Sequence, residues 1–207
     1  MEPPFLLKLR RMERVIQIKN KKFVVQSVRA SHPDHESLVC TWSGRTYLVR
    51  VFSIEEEFKK AMADYKVLKH AGINMAKICF HDDANHIIAF DYFPEEDCLK
   101  VLSKGPMGDV YFEALLSLYR FARFSKVALD WAPQNFMLRG SLMFYLPTKW
   151  EKMTDDNHLE KEGIRLWFLG KEGRALLQRK DYNTANLPSL SDLEVNKAVT
   201  LATVRYW

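Results

Sequence analysis

The sequence predicts an α+β chain: an antiparallel sheet carrying one helix, then a short, mainly helical region. Three observations predict it. Short alternating segments punctuated by turn residues fill the N-terminal half, and one long amphipathic stretch interrupts them. Beyond the break Gly105-Pro106-Met107-Gly108 the apolar spacing becomes helical.

The first strand is expected over residues 22–28, where Lys22-Phe23-Val24-Val25-Gln26-Ser27-Val28 alternates. Strands over residues 37–42 and 46–52 are split by Ser43-Gly44-Arg45, a glycine-containing connection that predicts a tight hairpin. The segment between the first two strands, Ala30-Ser31-His32-Pro33-Asp34-His35-Glu36, is polar and loop-like, its histidines plain loop residues. A helix follows. Ser53 and Glu56 have the spacing of a capping box, Ile54, Phe58, Ala61, Met62, Tyr65 and Leu68 recur at helical intervals, and Gly72 stops the run. Strands over residues 76–80 and 86–93 are then separated by Asp82-Asp83-Ala84-Asn85.

In the second half, residues 109–124 read as a helix through Leu115, Leu116, Leu118, Tyr119 and Ala122. It delivers the chain into Asp130-Trp131-Ala132-Pro133-Gln134-Asn135, and Phe136-Met137-Leu138 takes the loop's exit into the core. A strand over residues 142–146 pairs back through Gly140-Ser141. Helical pieces follow around Trp167 and over residues 171–180, and Ser191 with Glu194 opens a last helix that runs to Trp207. The tryptophans Trp131, Trp150, Trp167 and Trp207 are read as core rather than as a stacking platform.

Composition narrows the classes. With 207 residues, 47% hydrophobic and 13% aromatic, the chain buries a substantial core and is not globally disordered. Lys and Arg outnumber Asp and Glu 31 to 26, and the pI is near 9.0, a mild surplus that suits an anionic partner such as a nucleotide. The densest basic run, residues 8–22, reads as a solvated face, so a nucleic-acid partner is not expected. Cys40, Cys79 and Cys98 form neither a CxxC nor a disulfide framework, which points to the reducing cytoplasm. No apolar run reaches the ~20 residues of a membrane span, and Met1-Glu2-Pro3-Pro4-Phe5-Leu6-Leu7 does not read as a signal peptide.

Taken with this order of elements, the Asp-x4-Asn loop resembles that of the protein-kinase-like superfamily, most nearly its bacterial members acting on sugars or lipopolysaccharide. The resemblance covers residues 23–146. It implies two lobes, 1–94 with a five-stranded sheet and its helix and 95–207 mainly helical, with ATP between them and a hinge at Asp91-Tyr92-Phe93-Pro94-Glu95, of which Asp91, Tyr92 and Phe93 would contact the nucleotide. It also implies that Asp130 is the base for an incoming hydroxyl, and that Asn135 binds a Mg²⁺ bridging the nucleotide phosphates.

The match is uneven. The family's phosphate-covering loop is Gly-rich, but residues 30–37 contain no glycine. Its phosphate-binding Lys corresponds to Arg50, and its helical Glu to Asp64 in Asp64-Tyr65-Lys66-Val67-Leu68, so Arg50 and Asp64 are expected to pair. Its second metal-binding Asp has no counterpart near Leu146-Pro147-Thr148, so a weak Mg²⁺ site is expected. Two functions follow as expectations. One is a divergent ATP-dependent phosphotransferase with a small-molecule or glycan acceptor. The other is a pseudokinase that binds a nucleotide or a protein.

Overall fold

The structure, a computed structural model, describes residues 14–206. The apolar start, the basic run before residue 14 and Trp207 lie outside the described residues. In chain order the strands are β1 (Val15–Ile18), β2 (Lys21–Ser31), β3 (His35–Trp42), β4 (Arg45–Phe52), β5 (Ile78–Asp82), β6 (Ile87–Asp91), β7 (Val127–Ala128), β8 (Phe136–Arg139), β9 (Leu142–Tyr145) and β10 (Glu151–Lys152). The helices are α1 (Glu55–His70), α2 (Cys98–Leu102), α3 (Asp109–Phe124), α4 (Lys171–Arg179) and α5 (Asp192–Tyr206).

The described chain forms two compact units. One takes in the described residues through Phe58 together with Lys77–Tyr92, and the other Lys59–Ala76 together with the described residues from Phe93 onward.

The first unit is an antiparallel sheet in the order β1-β2-β3-β4-β6-β5. It has six strands where five are legible in sequence, because Val15-Ile16-Gln17-Ile18 adds an edge strand beside Phe23. β4, which precedes α1, pairs directly with β6, the second strand after α1, and β5 lies beyond it at the edge. Lys19 N–H on the β1–β2 turn donates to Asp82 Oδ2 at 3.0 Å, so the two edge strands meet and the sheet curls toward closure. Its interior is apolar, with Ile18, Phe23, Leu38, Cys40, Val49 and Ala89 fully buried.

Two connections are tighter than expected. The β3–β4 loop is the pair Ser43-Gly44, with φ of 49° and 74°, and Trp42 faces Arg45 across it. Positive φ at both central residues suits the twist of a two-residue hairpin. The polar segment over residues 30–36 is also mostly strand, shared between the end of β2 and the start of β3. Only His32-Pro33-Asp34 remains as a turn, closed by His32 N–H to the His35 carbonyl at 2.9 Å. The Ser53 hydroxyl donates to the Asp34 carbonyl at 3.1 Å and fastens this turn to the entry of α1.

The second unit is mainly helical. Phe112, Leu115, Leu116, Tyr119 and Ala122 of α3 face a core shared with Leu68, Leu99, Trp131, Phe136 and Trp167. Gly72, at φ 79°, ends α1 and returns the Ile73 N–H to the Leu68 carbonyl at 3.0 Å. Ile54 was expected on the apolar stripe but precedes α1 and is 45% exposed. Asp97 caps α2 by accepting from Lys100 N–H at 2.9 Å, an element the sequence reading lacks. A π-type turn (Leu159–Gly163) runs into a 3₁₀ turn (Ile164–Trp167). The capping box of α5 forms as expected, with Ser191 and Glu194 exchanging hydrogen bonds at 2.8 and 3.3 Å. None of the described helices is long and apolar enough to cross a membrane.

Candidate functional site

The loop from β7 to β8 is fixed at both ends by buried strands and wound through one 3₁₀ turn, Pro133–Asn135, with Pro133 at its first position. Asp130 is exposed, while Trp131, Ala132 and Pro133 behind it are buried. One carboxylate oxygen of Asp130 accepts from Ala132 N–H at 3.2 Å, an Asx turn that orients the group. The Asn135 side-chain N–H donates to the backbone carbonyl of Asp130 at 3.2 Å. With its amino group so engaged, the amide has Oδ1 left as its acceptor, an oxygen of the kind that could hold a hard cation. Asp130 and Asn135 are thus brought together by a direct bond across the loop.

Three aromatic residues hold this loop in place. Tyr145 is fully buried, and its hydroxyl accepts from Asp130 N–H at 3.3 Å and donates to the Lys149 carbonyl at 2.9 Å. Trp131 donates its indole N–H to the Asn157 carbonyl at 3.3 Å. Its own carbonyl accepts from the Trp167 indole at 2.8 Å. Sequence reading placed Trp131 and Trp167 in the core, where they are, but missed the polar duty of Tyr145. The available signal was a phenol at a buried strand position, which must find a partner.

Asp64 lies on α1, and its Oδ1 accepts from the Trp150 indole N–H at 3.0 Å. Trp150 is half-buried against the helical core. It follows Leu146-Pro147-Thr148, where the expected acidic ligand is missing. Among the described residues no group of three or more His, Cys, Asp or Glu side chains has a metal-holding arrangement.

In the sheet unit, Arg50 lies mid-strand on β4, facing Ser37 and Ile88, with its guanidinium 5.1 Å from the centre of the Phe90 ring. His35 is stacked on His32 at 4.7 Å and tilted against Phe52 at 5.3 Å. Burial, and after it the nearby Arg50 charge, pushes the His35 imidazole below its ordinary pKa, with Asp34 opposing. Asp91 is exposed at the end of β6 and accepts from the Cys79 thiol at 3.0 Å. Burial and that carboxylate push the thiol up to about 11, so it stays protonated at neutral pH.

Tyr92 is half-buried where the chain leaves the sheet unit. Phe93 is buried in the helical unit, edge-on to Phe144 at 5.0 Å, with the Arg139 guanidinium 4.7 Å from its ring centre.

No family model matches the sequence, and no curated protein matches it. Solved structures do. The crystal structure of the BubR1 kinase domain matches with a TM-score of 0.52 and 13% identity, over 70% of this chain and 52% of that one. The chain therefore spans about half the length of that kinase-domain chain. At this identity the likeness is one of fold: an antiparallel sheet, the helix α1 between its strands and a mainly helical part, in a protein-kinase-like architecture.

Proposed function

We propose that the chain is a divergent ATP-dependent phosphotransferase acting on a hydroxyl acceptor, with Asp130 as the base. The observation that carries this reading is the pair of bonds inside the β7–β8 loop. Ala132 N–H orients the Asp130 carboxylate, and the Asp130 carbonyl orients the Asn135 amide. A solvated turn needs only the first of these. An arrangement that fixes both an exposed carboxylate and an amide oxygen suits proton acceptance beside a phosphate-bound Mg²⁺.

In this reading Asp130 takes the acceptor's hydroxyl proton, Asn135 Oδ1 holds Mg²⁺, and Arg50 binds nucleotide phosphate, with Asp64 balancing its charge. Asp91, Tyr92 and Phe93 supply the nucleotide's base contacts, and the lobes divide as 1–94 and 95–207. Mg²⁺ supplies neutralisation of phosphate charge when bound. The acceptor in this reading is a small molecule or a glycan. The free thiols suit the cytoplasm.

Two observations favour the second reading, a nucleotide- or protein-binding pseudokinase. The glycine-free turn leaves only His32-Pro33-Asp34 where phosphates would be covered. The segment Leu146-Pro147-Thr148 also brings no carboxylate.

A nucleotide thermal-shift series with and without Mg²⁺, followed by a transfer assay on the parent and Asp130→Asn, separates the readings. Saturating ATP, at 100 times its Kd, adds about 2.7 kcal/mol of stability in either case. Transfer that Asp130→Asn reduces roughly 10²–10⁴-fold establishes the enzyme. Nucleotide binding without transfer supports the module, and no nucleotide effect at all removes the enzyme and leaves only the protein-binding form of the second reading.

A further inference from the structure

The last turns of α1 and α3 share a face that the loop chemistry does not use. Phe124 is 91% exposed, Phe121 54% and Val67 37%. Beside them runs a groove lined by Lys66, Val67, His70, Ala71, Ser125 and Val127. The elements are tied together there, because the Ser125 hydroxyl donates to the Ala71 carbonyl at 3.4 Å and Met153 N–H to the Lys126 carbonyl at 2.9 Å. Lys152 pairs with Val127 across the short β7–β10 ladder. Lys66, Lys69, Lys126 and Lys152 are all exposed, and none has a carboxylate partner among the described residues. Arg123 adds a cation 3.7 Å from Glu160.

We propose that this face binds the surface of an anionic membrane peripherally, with Phe124 as the inserting side chain and the lysines over the headgroup phosphates. Charge complementarity selects the ligand. Uncompensated ammonium groups around an apolar centre match a layer of anionic headgroups above acyl chains. The shape of the face selects a bilayer over an acidic protein. Phe124 stands outside the groove instead of lying in it, and a lipid interface accepts a protruding ring without a pre-formed pocket. Phe121 contributes less, since its ring packs where a Cβ on Gly72 would come within 3.1 Å. The proposal does not depend on nucleotide chemistry.

The test is co-sedimentation of the full chain with vesicles of phosphatidylcholine alone or mixed with phosphatidylglycerol, at low and high salt. Binding is expected only to the mixed vesicles, falling as salt rises. Each reversal, Lys66→Glu or Lys126→Glu, is expected to lower partitioning about fivefold or more, and Phe124→Ser to lower it at least as much. All three sites are exposed, so the variants are expected to melt with the parent, which keeps a loss of binding separate from unfolding. Absence of binding to phosphatidylglycerol vesicles overturns the proposal, as does a Phe124→Ser protein that partitions like the parent. A labelled Glu-Leu repeat peptide that binds the face and is not displaced by anionic vesicles would identify a protein-docking surface and equally overturn it.

Discussion

Trp150 gives its indole N–H to Asp64 at 3.0 Å, joining the segment after β9 to the middle of α1. The carboxylate that the kinase resemblance assigns to balance Arg50 therefore also carries a structural bond. The two duties separate by substitution. Trp150→Phe removes the donor and keeps most of the ring. It is expected to cost about 1 kcal/mol of stability, read as a shift in the urea midpoint. Asp64→Asn keeps an acceptor for the indole while deleting the charge. It is expected to unfold near the parent midpoint and to bind nucleotide more weakly. If Asp64→Asn binds ATP as tightly as the parent, the carboxylate has no phosphate-site role.

Tyr145 is the second control point. Its hydroxyl answers both Asp130 N–H and the Lys149 carbonyl from a fully buried ring. Tyr145→Phe leaves two backbone groups without that partner and is expected to cost about 1–3 kcal/mol, measured by thermal or urea unfolding. The loss falls on the loop that carries Asp130, so any transfer activity is expected to drop more than the change in stability explains. A Tyr145→Phe protein as stable as the parent would mean that water replaces the hydroxyl at both groups.

The sheet-helix-sheet order was legible because alternation, the Ser43-Gly44 turn and the Gly72 stop are local signals. The edge strand Val15–Ile18 was not, since four residues inside a basic run resemble a solvated face until Phe23 is seen opposite. The His32-Pro33-Asp34 turn is hidden inside a longer polar segment for a related reason. Ser31 is exposed and His35 and Glu36 are half-buried on two paired strands, and polarity alone does not separate such strand ends from a loop. Asp130 and Asn135 were visible through their spacing. Tyr145 and Trp150 hold partners that are 15 and 86 positions away, and only the folded chain brings those together.

Acid is expected to destabilise the sheet unit through His35. Its pKa in the folded chain lies below the ordinary 6.5, mainly from burial and then from Arg50, with His32 adding slightly and Asp34 opposing. The unfolded chain takes up the proton first as pH falls. The contribution is therefore complete above about 6.5 and is lost progressively as pH drops through the lowered folded value. Melting temperatures recorded from pH 8 down to pH 5, as roughly spaced points, check this. A His35→Gln variant is expected to lose part of the slope in that window. Asp82, held low chiefly by Lys19 N–H, loses its contribution only as pH falls through the ordinary carboxylate value and below, under the window compared. An unchanged slope in His35→Gln would assign the effect to another group.

Gly163 decides whether the loop's rear anchor is rigid. Its backbone, at φ −86° and ψ −39°, suits any residue, so the position is glycine for space and not for conformation. A Cβ there would lie 2.3 Å from Trp131 Cβ and 2.8 Å from its Cγ. Trp131 has little freedom to yield. Its ring stands edge-on to Tyr119 at 5.3 Å and stacks with Phe136 at 5.9 Å, while its carbonyl is bonded to the Trp167 indole at 2.8 Å. Gly163→Ala is therefore expected to cost about 1–3 kcal/mol by overpacking and to displace the residue that directly follows Asp130. Gly108→Ala is the control, since a Cβ there meets nothing within 4 Å. Thermal unfolding of the two variants should separate them, with Gly108→Ala, at the N-cap of α3, losing less than Gly163→Ala. If Gly163→Ala melts with the parent, Trp131 moves without cost and cannot be what fixes Asp130.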